Sequence, residues 1–246
     1  MEQPLVSIVS LLYDIKKEYV NECIESILNQ TYQNLEIIFI DDCSPNIKYN
    51  YIKKLSPKIK LVRNKTNLGM NKTAQKVFNL ATGKYVVRID SDDIIDPTLI
   101  EKEVTFLENN PNYGAVCCEL KRFGKRQQYI HRPVQWNLKS VLFGKINGYG
   151  YAGGMMFRTS LLSEIAINEN YKMCEDFDFH LQILERMPIK SILEPLYYYR
   201  AHETNLCNTI KTEERLQINA TILAVHRKLY TEMHLSKLKK KRDRYF

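Results

Sequence analysis

The sequence predicts an α/β fold in which a mostly parallel β-sheet is flanked by helices and followed by a helical, basic C-terminal extension. Two patterns indicate this fold. In the first half of the chain, short strands that are apolar along their whole length alternate with helical segments, which is typical of a parallel sheet covered on both faces. In the last part of the chain, basic residues accumulate and set residues 211–246 apart from the rest.

Each element of the first half has its own signal. Strands are predicted at "LVSIVSLL", "LEIIFIDD", "IKLVRN", "KYVVRID" and "YGAVCCEL". Helices are predicted at "KEYVNECIESILNQ", "MNKTAQKVFNLA" and "PTLIEKEVTFLENNP". The first helix places Val20, Ile24 and Ile27 on one face, and the last begins at Pro97, a residue that favours the first turn of a helix.

The second half is less regular. "KRFGKRQQYIHRP" indicates an exposed basic hairpin, and "GYGYAGGMMFR" a glycine-rich approach to a strand. "CEDFDFHLQILERM" indicates a helix that begins with acids, and "KSILEPLYYYRAHETN" a strand followed by a polar loop. No repeat or linker interrupts the chain, so we expect one domain over residues 1–210, followed by the extension at 211–246.

Composition indicates a globular protein of ordinary kind, with 44% hydrophobic and 26% charged residues. No apolar run approaches the roughly 18 residues that a membrane span needs. The first residues, "MEQPLVSIVSLLYD", contain neither the basic region nor the cleavage site of a signal peptide, so we expect a cytoplasmic protein. The six cysteines form no CxxC pair and are expected to be reduced.

The net charge of +8 is concentrated at one end. Residues 226–246 contain eight Lys or Arg against one Glu and one Asp, which leaves the preceding part nearly neutral. A nucleic-acid-binding protein is therefore not expected. Two interpretations of the extension are favoured: a solvated charged end, or a peripheral segment on the cytoplasmic face of an anionic membrane, with Leu229 and Met233 facing the lipid. Nucleic-acid binding by the extension is the least favoured, because no groove-reading motif or stacking module is visible.

The stretch "VVRIDSDDIIDP" ends a buried strand in four carboxylates. Asp96, directly before a proline, suits a helix cap. The other three, Asp90, Asp92 and Asp93, lie where the ligands of parallel α/β sheets bind, at the carboxyl ends of the strands. Clustered carboxylates repel one another unless a cation is present, and Mg²⁺ or Mn²⁺ is commonly held by one or two carboxylates together with substrate phosphates.

A second pair of acids, Asp41 and Asp42, ends a neighbouring strand and is expected at the same rim. A third group, Glu175 and Asp176, opens a helix. Acids are favoured at helix N-termini by the helix dipole alone, and a carboxylate there is equally well placed to act as a general base.

Several segments in a fixed order resemble family 2 glycosyltransferases: "VSIVSLLYD", "CIESILNQTYQNLEIIFIDDCS", "NLGMNKTAQKVFNLATGKYVVRIDSDD", "GGMMFR", "CEDFDF" and "YYYRAHETN". Together they cover residues 5 to about 207. The resemblance implies the Rossmann-like GT-A fold and an inverting, metal-dependent hexosyltransferase of polysaccharide biosynthesis. Its donor would be a nucleotide-diphosphate sugar, most often a UDP-sugar, and its cofactor Mn²⁺ or Mg²⁺ at the DxD motif.

The resemblance also implies a donor-binding half at about residues 1–120 and an acceptor-binding half at about 121–210, and it implies roles for matching positions. The nucleotide sugar would be bound by Tyr13, Asp42, Lys72, Asp90, Ser91, Asp92 and Arg200. The metal would be held by Asp92, Asp93 and His202, with either aspartate as the direct ligand. Asp176 would be the catalytic base, with Glu175 and Asp178 in support.

Two positions depart from the family pattern. Where the family often has an arginine in the helix after its "NxG" segment, this chain has Thr73, Ala74 and Gln75, and Lys72 is expected to supply the charge as a point charge. In the first strand, Leu11 and Leu12 stand where Pro-Thr is common. Both departures concern the donor contacts.

The sequence therefore predicts transfer of a sugar from a nucleotide-diphosphate sugar to a hydroxyl of a glycan or lipid-linked glycan. One alternative is a sugar nucleotidyltransferase, which needs a glycine-rich loop after the first strand; "SLLYDIKKEY" has no glycine. The other alternative is an inactive nucleotide-sugar-binding module, which the presence of Asp90, Asp92, Asp93 and Asp176 does not favour.

Overall fold

A computed structural model describes residues 3–143, 153–171, 174–203, 205 and 211–242, with side chains as far as Ser236. These residues form ten strands in a single sheet. The strands are β1 Val6–Leu12, β2 Leu35–Asp41, β3 Ile59–Arg63, β4 Tyr85–Arg88, β5 Ile94–Ile95, β6 Ala115–Gly124, β7 Gln128–Ile130, β8 Gln135–Trp136, β9 Met155–Arg158 and β10 Ile189–Ala201. The helices are α1 Lys17–Leu28, α2 Met70–Phe78, α3 Leu99–Asn109, α4 Leu138–Phe143, α5 Glu175–Leu184 and α6 Thr212–Arg242.

The sheet consists of a parallel block and a mixed block. Its strand order is β3-β2-β1-β4-β9-β6-β10-β5, and the first four strands are mutually parallel. Strand β9 lies antiparallel between β4 and β6, whereas β6 and β10 are parallel to each other. The predicted α/β class is confirmed, and the antiparallel insertion of β9 explains why the second half of the chain lacks the regular alternation of the first.

Helices cover both faces of the sheet, which is why its central strands are apolar throughout. On β1, Ile8 packs into a cluster with Val20 of α1 and Leu99 of α3. Its neighbour Val9 points to the other face and packs with Val77 of α2. Successive side chains of a strand alternate between faces, so a strand buried on both sides needs apolar residues at every position.

The predicted basic hairpin is present. Strand β6 pairs antiparallel with β7, with Leu120 opposite Ile130 and Arg122 opposite Gln128. The turn that joins them begins after Gly124, whose φ of 86° is a left-handed conformation that glycine adopts readily. Residues 144–152, which include most of the predicted glycine-rich approach to strand β9, lie outside the described part of the chain.

The extension is helical, as predicted, but its first half is not free in solvent. Ile222 of α6 is fully buried and His226 almost so, in contact with the domain. Arg227 Nε donates a hydrogen bond to the carbonyl oxygen of Leu142 in α4, at 2.7 Å. The helix therefore docks on the domain as far as Tyr230, which packs on Phe143. Among the described helices, including this long one, none has the length and apolar character needed to cross a membrane.

Candidate active site

The two predicted acid groups meet at one edge of the sheet. Strand β1 lies between β2 and β4 in the sheet. Asp42 directly follows β2, and Ser91 lies in the turn that follows β4. The amide of Asp42 donates to Leu12 O at 2.9 Å, and the hydroxyl of Ser91 to Leu11 O at 2.6 Å. Both loops are thus bonded to the end of β1, as the sequence predicted, and the Ser91 hydroxyl is committed to that bond.

Backbone conformation marks the same edge. The described non-glycine residues with left-handed φ are Asp14 (49°), Cys43 (62°) and Cys174 (65°). Each is directly next to a predicted site residue, namely Tyr13, Asp42 or Glu175. Such conformations are unfavourable for residues with a Cβ and are often found where a chain must present a side chain to a ligand.

Asp92 and His202 form the most accessible pair of metal donors. His202 Nε2 lies 2.8 Å from Asp92 Oδ2, and the two side chains are 13% and 16% exposed. Burial and the nearby Asp90 raise the pKa of Asp92, whereas His202 opposes that shift. No group of three or more Asp, Glu, His and Cys side chains within the described residues is arranged to hold a metal by itself. Any metal here would need ligands from the substrate.

Asp93 is enclosed by the fold, unlike the partly exposed Asp92. It is fully buried, and its two oxygens accept hydrogen bonds from Tyr197 Oη at 2.6 Å and from the amide of Arg200 at 2.7 Å. Burial, followed by repulsion from Asp92 and Asp90, raises its pKa well above the usual range. The carboxyl therefore ties the DxD turn to β10, and this position does not favour it as the direct metal ligand.

The "GGMMFR" segment is explained by Tyr197. Its ring lies so close to Gly153 and Gly154 that a Cβ on either would come within 2.3 Å or 2.6 Å of ring or hydroxyl atoms. The Tyr197 hydroxyl also accepts a hydrogen bond from the amide of Asp90, at 3.2 Å. The two glycines make room for the ring that supports the DxD turn.

Arg200 holds the same turn from the other side. Its Nε donates to the carbonyl oxygen of Asp92 at 2.7 Å, and its Nη2 forms an ion pair with Glu22. The guanidinium lies between the rings of Tyr19 and Phe123, 4.4 Å and 4.5 Å from their centroids. These internal partners give Arg200 a supporting role, and its predicted contact with the donor stays a prediction.

Asp42 likewise has internal partners. Its carboxylate accepts from the Asn64 side chain at 2.7 Å and from the amides of Leu68 and Gly69 at 2.8 Å and 2.9 Å. It is 5% exposed. The residue shapes the loop before α2, and its predicted bond to a base or ribose remains a prediction.

Tyr13 and Lys72 are available to a ligand. The Tyr13 ring, at the end of β1, is 50% exposed, which suits a surface for a base to lie on. Lys72 is 3.6 Å from Glu169, and both side chains are more than half exposed, so this pair contributes little stability. Contact of Tyr13 or Lys72 with a donor stays a prediction.

Arg88 is a residue that the sequence reasoning missed as a site residue. Its Nε lies 3.0 Å from Asp90 Oδ1 and its Nη1 3.5 Å from Glu175 Oε1, with the side chain 10% exposed. It bridges the DxD motif and the acids of α5. A signal was present, because an arginine in the otherwise apolar strand "KYVVRID" must find acid partners when it is buried.

Asp176 lies in the first turn of α5, partly buried, and accepts the amide hydrogen of Phe177 at 2.7 Å. Burial raises the pKa of its carboxyl to about 7, with repulsion from Glu175 adding to the shift and Arg88 opposing it. A carboxyl with this pKa is half deprotonated near neutral pH and is well matched to proton transfer there.

Asp178 is turned away from this chemistry. Its Oδ1 lies 2.9 Å from His226 Nε2 of α6, and its Oδ2 accepts from Gln182 at 2.7 Å. Neither contact involves Asp176, so the predicted support of Asp176 by Asp178 stays a prediction. Two positions after Asp176, a residue on this α-helix faces a different side, and Asp178 holds α6 in place.

Comparison with known proteins adds the family. The family model for glycosyl transferase family 2 matches residues 7–166, which is more than half of the chain. The chain belongs to glycosyl transferase family 2. This family 2 glycosyltransferase is 31% identical over 226 residues to an uncharacterized glycosyltransferase of Haemophilus influenzae, covering 86% of this chain and 70% of that one. It is also 28% identical to one of Methanocaldococcus jannaschii, over 87% and 77% of the two chains.

Solved structures show the fold of this family 2 glycosyltransferase. S. aureus TarS 1-349 in complex with UDP-GlcNAc superposes with a TM-score of 0.74 at 20% identity, covering 90% of this chain and 66% of that one. The mannosyltransferase PcManGT from Pyrobaculum calidifontis, in complex with GDP-Man and Mn²⁺, gives 0.61 at 16% identity, covering 81% and 57%. The predicted GT-A fold is confirmed, and this chain spans about two thirds or less of either solved chain.

Proposed function

We propose that this glycosyltransferase transfers a sugar from a nucleotide-diphosphate sugar to a hydroxyl of a glycan or lipid-linked glycan, with inversion at the anomeric carbon. The observation that carries the proposal is the ion-pair series Asp90–Arg88–Glu175. It fixes the DxD turn relative to the first turn of α5, where Asp176 has a pKa of about 7. Donor-binding and proton-accepting groups are thereby held in one rigid unit.

The proposed reaction is a single displacement. Asp176 accepts the proton of the acceptor hydroxyl as its oxygen bonds to the anomeric carbon, and the bond from that carbon to the diphosphate oxygen breaks. The electron pair leaves on the nucleoside diphosphate. No enzyme nucleophile is needed, and the base must be deprotonated before the reaction.

The proposed donor is a UDP-sugar. TarS is a GT-A neighbour solved with UDP-GlcNAc, and PcManGT one solved with GDP-Man, so both donor types are compatible with the fold. The exposed Tyr13 ring offers a face to the base. A thermal-shift screen of nucleotide sugars distinguishes the donors, because a ligand that binds only the folded state raises the melting temperature.

The donor set at the DxD turn fits a divalent metal such as Mn²⁺ or Mg²⁺. Asp92 offers a partly exposed carboxylate with the His202 imidazole 2.8 Å away, and hard cations accept one or two such protein ligands when phosphates and water complete the shell. We infer that Asp92, rather than the enclosed Asp93, is the direct ligand. When bound, the cation neutralises charge that develops on the leaving diphosphate.

Replacing the base tests the proposal. Asp176→Asn keeps the size of the side chain but cannot accept the proton, so we expect transfer to fall by about 10²–10⁴-fold, the usual contribution of general base catalysis. Binding of UDP, measured by calorimetry, should stay near the wild-type value. The matched control is Asp96→Asn, which changes the carboxylate that accepts the Thr98 amide in the turn before α3. Normal turnover by Asp176→Asn contradicts the base assignment.

A further inference from the structure

A cavity of about 260 Å³ lies beside the DxD turn, at the carboxyl ends of β6 and β10. Its walls come from the turn of the β6–β7 hairpin and from the residues that follow β10. It is lined by Arg122, Lys125, Arg126, Tyr199, Ala201, His202, Glu203 and Asn205. Pockets that enclose whole small ligands measure roughly 300–1,000 Å³, so this cavity suits one group of a ligand rather than an entire nucleotide sugar.

The lining is strongly cationic. Three basic side chains, Arg122, Lys125 and Arg126, face one acid, Glu203. Lys125 and Glu203 form an ion pair, but their side chains are 64% and 79% exposed, so the pair is weak and easily exchanged for another partner. Arg126 forms no ion pair with any residue in the described ranges. A positive surplus in a concave site attracts anions.

The cavity is also connected to the candidate metal pair. The Arg122 guanidinium is held over the Tyr199 ring, 5.6 Å from its centroid. His202, which forms part of the wall, lies 2.8 Å from Asp92. An anion bound in the cavity would therefore be a neighbour of the proposed donor diphosphate, on the side of the sheet that carries the basic hairpin.

We propose that this cavity is a binding site for a phosphate group of the acceptor, separate from the site of the donor diphosphate. The inference rests on the proposed function, since it names a property of the acceptor. Guanidinium and ammonium groups are the side chains that bind phosphate esters most strongly, and the hairpin supplies three of them within five positions of the chain.

The experiment uses methyl phosphate as a probe of the full-length protein, with calorimetry or NMR titration at saturating UDP and Mg²⁺. Methyl phosphate should bind to the UDP-loaded protein. The double variant Lys125→Ala/Arg126→Ala should weaken this binding by about tenfold or more, as expected for loss of a charge-assisted hydrogen bond, and leave the UDP affinity unchanged. The matched control is Lys121→Ala on strand β6 of the same hairpin, whose ammonium lies over the Tyr129 ring and does not line the cavity.

Three results overturn the inference: no methyl phosphate binding with or without UDP, unaltered binding by the double variant, or methyl phosphate binding that occurs only when UDP is left out. The last would assign the cations to the donor diphosphate. Each of these leaves the proposed function intact if UDP-sugar is still bound and Asp176→Asn still abolishes transfer. A different result would contradict the proposed function, namely absence of UDP-sugar binding by the wild-type protein.

Discussion

Arg88 lies between two acidic motifs that are far apart in the sequence, and its charge acts on both. It opposes the rise in the pKa of Asp176, so removing it should raise that pKa further. A buried cation with two carboxylate partners cannot be lost without leaving them uncompensated. At the scale of single residues, burial raises the pKa of the proposed base, and Arg88 limits that rise.

This gives a prediction for pH dependence. The base must be deprotonated, so transfer by the wild-type protein should increase as the pH rises through about 7. In Arg88→Gln the rise should occur at higher pH, whereas Arg88→Lys retains a positive charge and should remain closer to wild type. Initial rates from pH 5.5 to 9 measure this, with melting temperatures recorded to separate loss of folding. An unshifted profile in a folded Arg88→Gln protein contradicts the coupling.

Asp92 and His202 lead to a second prediction at this scale. Because they supply at most two protein ligands, the metal should be readily removed, and transfer should stop in excess EDTA and return with added Mn²⁺. Asp92→Asn should raise the Mn²⁺ concentration needed for half-maximal rate. Asp96→Asn, four positions further along, serves as the control. Full activity in excess EDTA rules out the metal role.

The sequence predicts where the acidic residues of the DxD motif lie in the fold, but it does not predict which side chains contact them. The strand-end position of Asp90, Asp92 and Asp93 follows from the apolar run before them, and the structure confirms that position. That Asp93 is enclosed by Tyr197 and Arg200 depends on contacts more than a hundred positions apart, which no local pattern encodes. Three carboxylates that look equivalent in the sequence thus have three environments.

At the scale of elements, α5 and α6 are joined by a buried charge cluster. His226 Nε2 lies 2.9 Å from Asp178 and its Nδ1 2.6 Å from Glu185, so α6 is bonded to the helix that begins with Glu175 and Asp176. Burial lowers the pKa of His226, but its hydrogen bonds to the two carboxylates outweigh this and raise the pKa to about 9. The imidazolium form is therefore the stable one in the fold at neutral pH.

The raised pKa predicts how stability depends on pH. The ordinary pKa of histidine is about 6.5, so the contribution of His226 is complete below that value and is lost as the pH rises through about 9. At low pH the wild-type protein should have a larger free energy of unfolding than His226→Gln. This difference should shrink by up to about 3 kcal/mol as the pH rises through this range. Thermal melts from pH 6 to 9.5 measure the difference. His131→Gln, at a mostly exposed histidine, should show no such change.

Elements of the first half could be predicted because each carries its own periodicity and boundary residues, as α1 and β2 do. Strand β9 could be predicted as a strand, but its antiparallel place between β4 and β6 could not. Pairing direction depends on where the chain enters the sheet, which is a property of the whole topology. The docking of α6 was also beyond local patterns, since its buried residues are few among many charges.

At the scale of the whole molecule, most of the net positive charge lies in the C-terminal extension. The preceding part of the chain is nearly neutral, and the basic residues cluster beyond the docked part of α6. Val225, Leu229 and Met233 are exposed at a spacing of four residues, which places them along one side of the helix. This arrangement supports, as a proposal, peripheral contact of the extension with an anionic membrane on the cytoplasmic side.

The membrane proposal has a test that spares the domain. Removing residues 235–246 deletes six Lys or Arg and one Asp, so sedimentation with phosphatidylglycerol vesicles should decrease, by roughly 1 kcal/mol of binding per basic residue near the surface. The melting temperature should not change. A cut after Val225 also removes His226, so it should lower both the vesicle binding and the melting temperature. Undiminished binding after the shorter deletion contradicts the proposal, and neutral phosphatidylcholine vesicles serve as the control.

The enclosure of Asp93 has a consequence for how the protein is made. Its hydrogen-bond donors, Tyr197 and the amide of Arg200, leave the ribosome more than a hundred residues after it. A nascent chain that ends before these residues contains strands β1–β4, but the carboxyl of Asp93 has neither hydrogen-bond donor. Burying a carboxyl without such partners is unfavourable. The DxD turn is therefore expected to reach its final packing only after strand β10 has been synthesised, because that strand carries both donors.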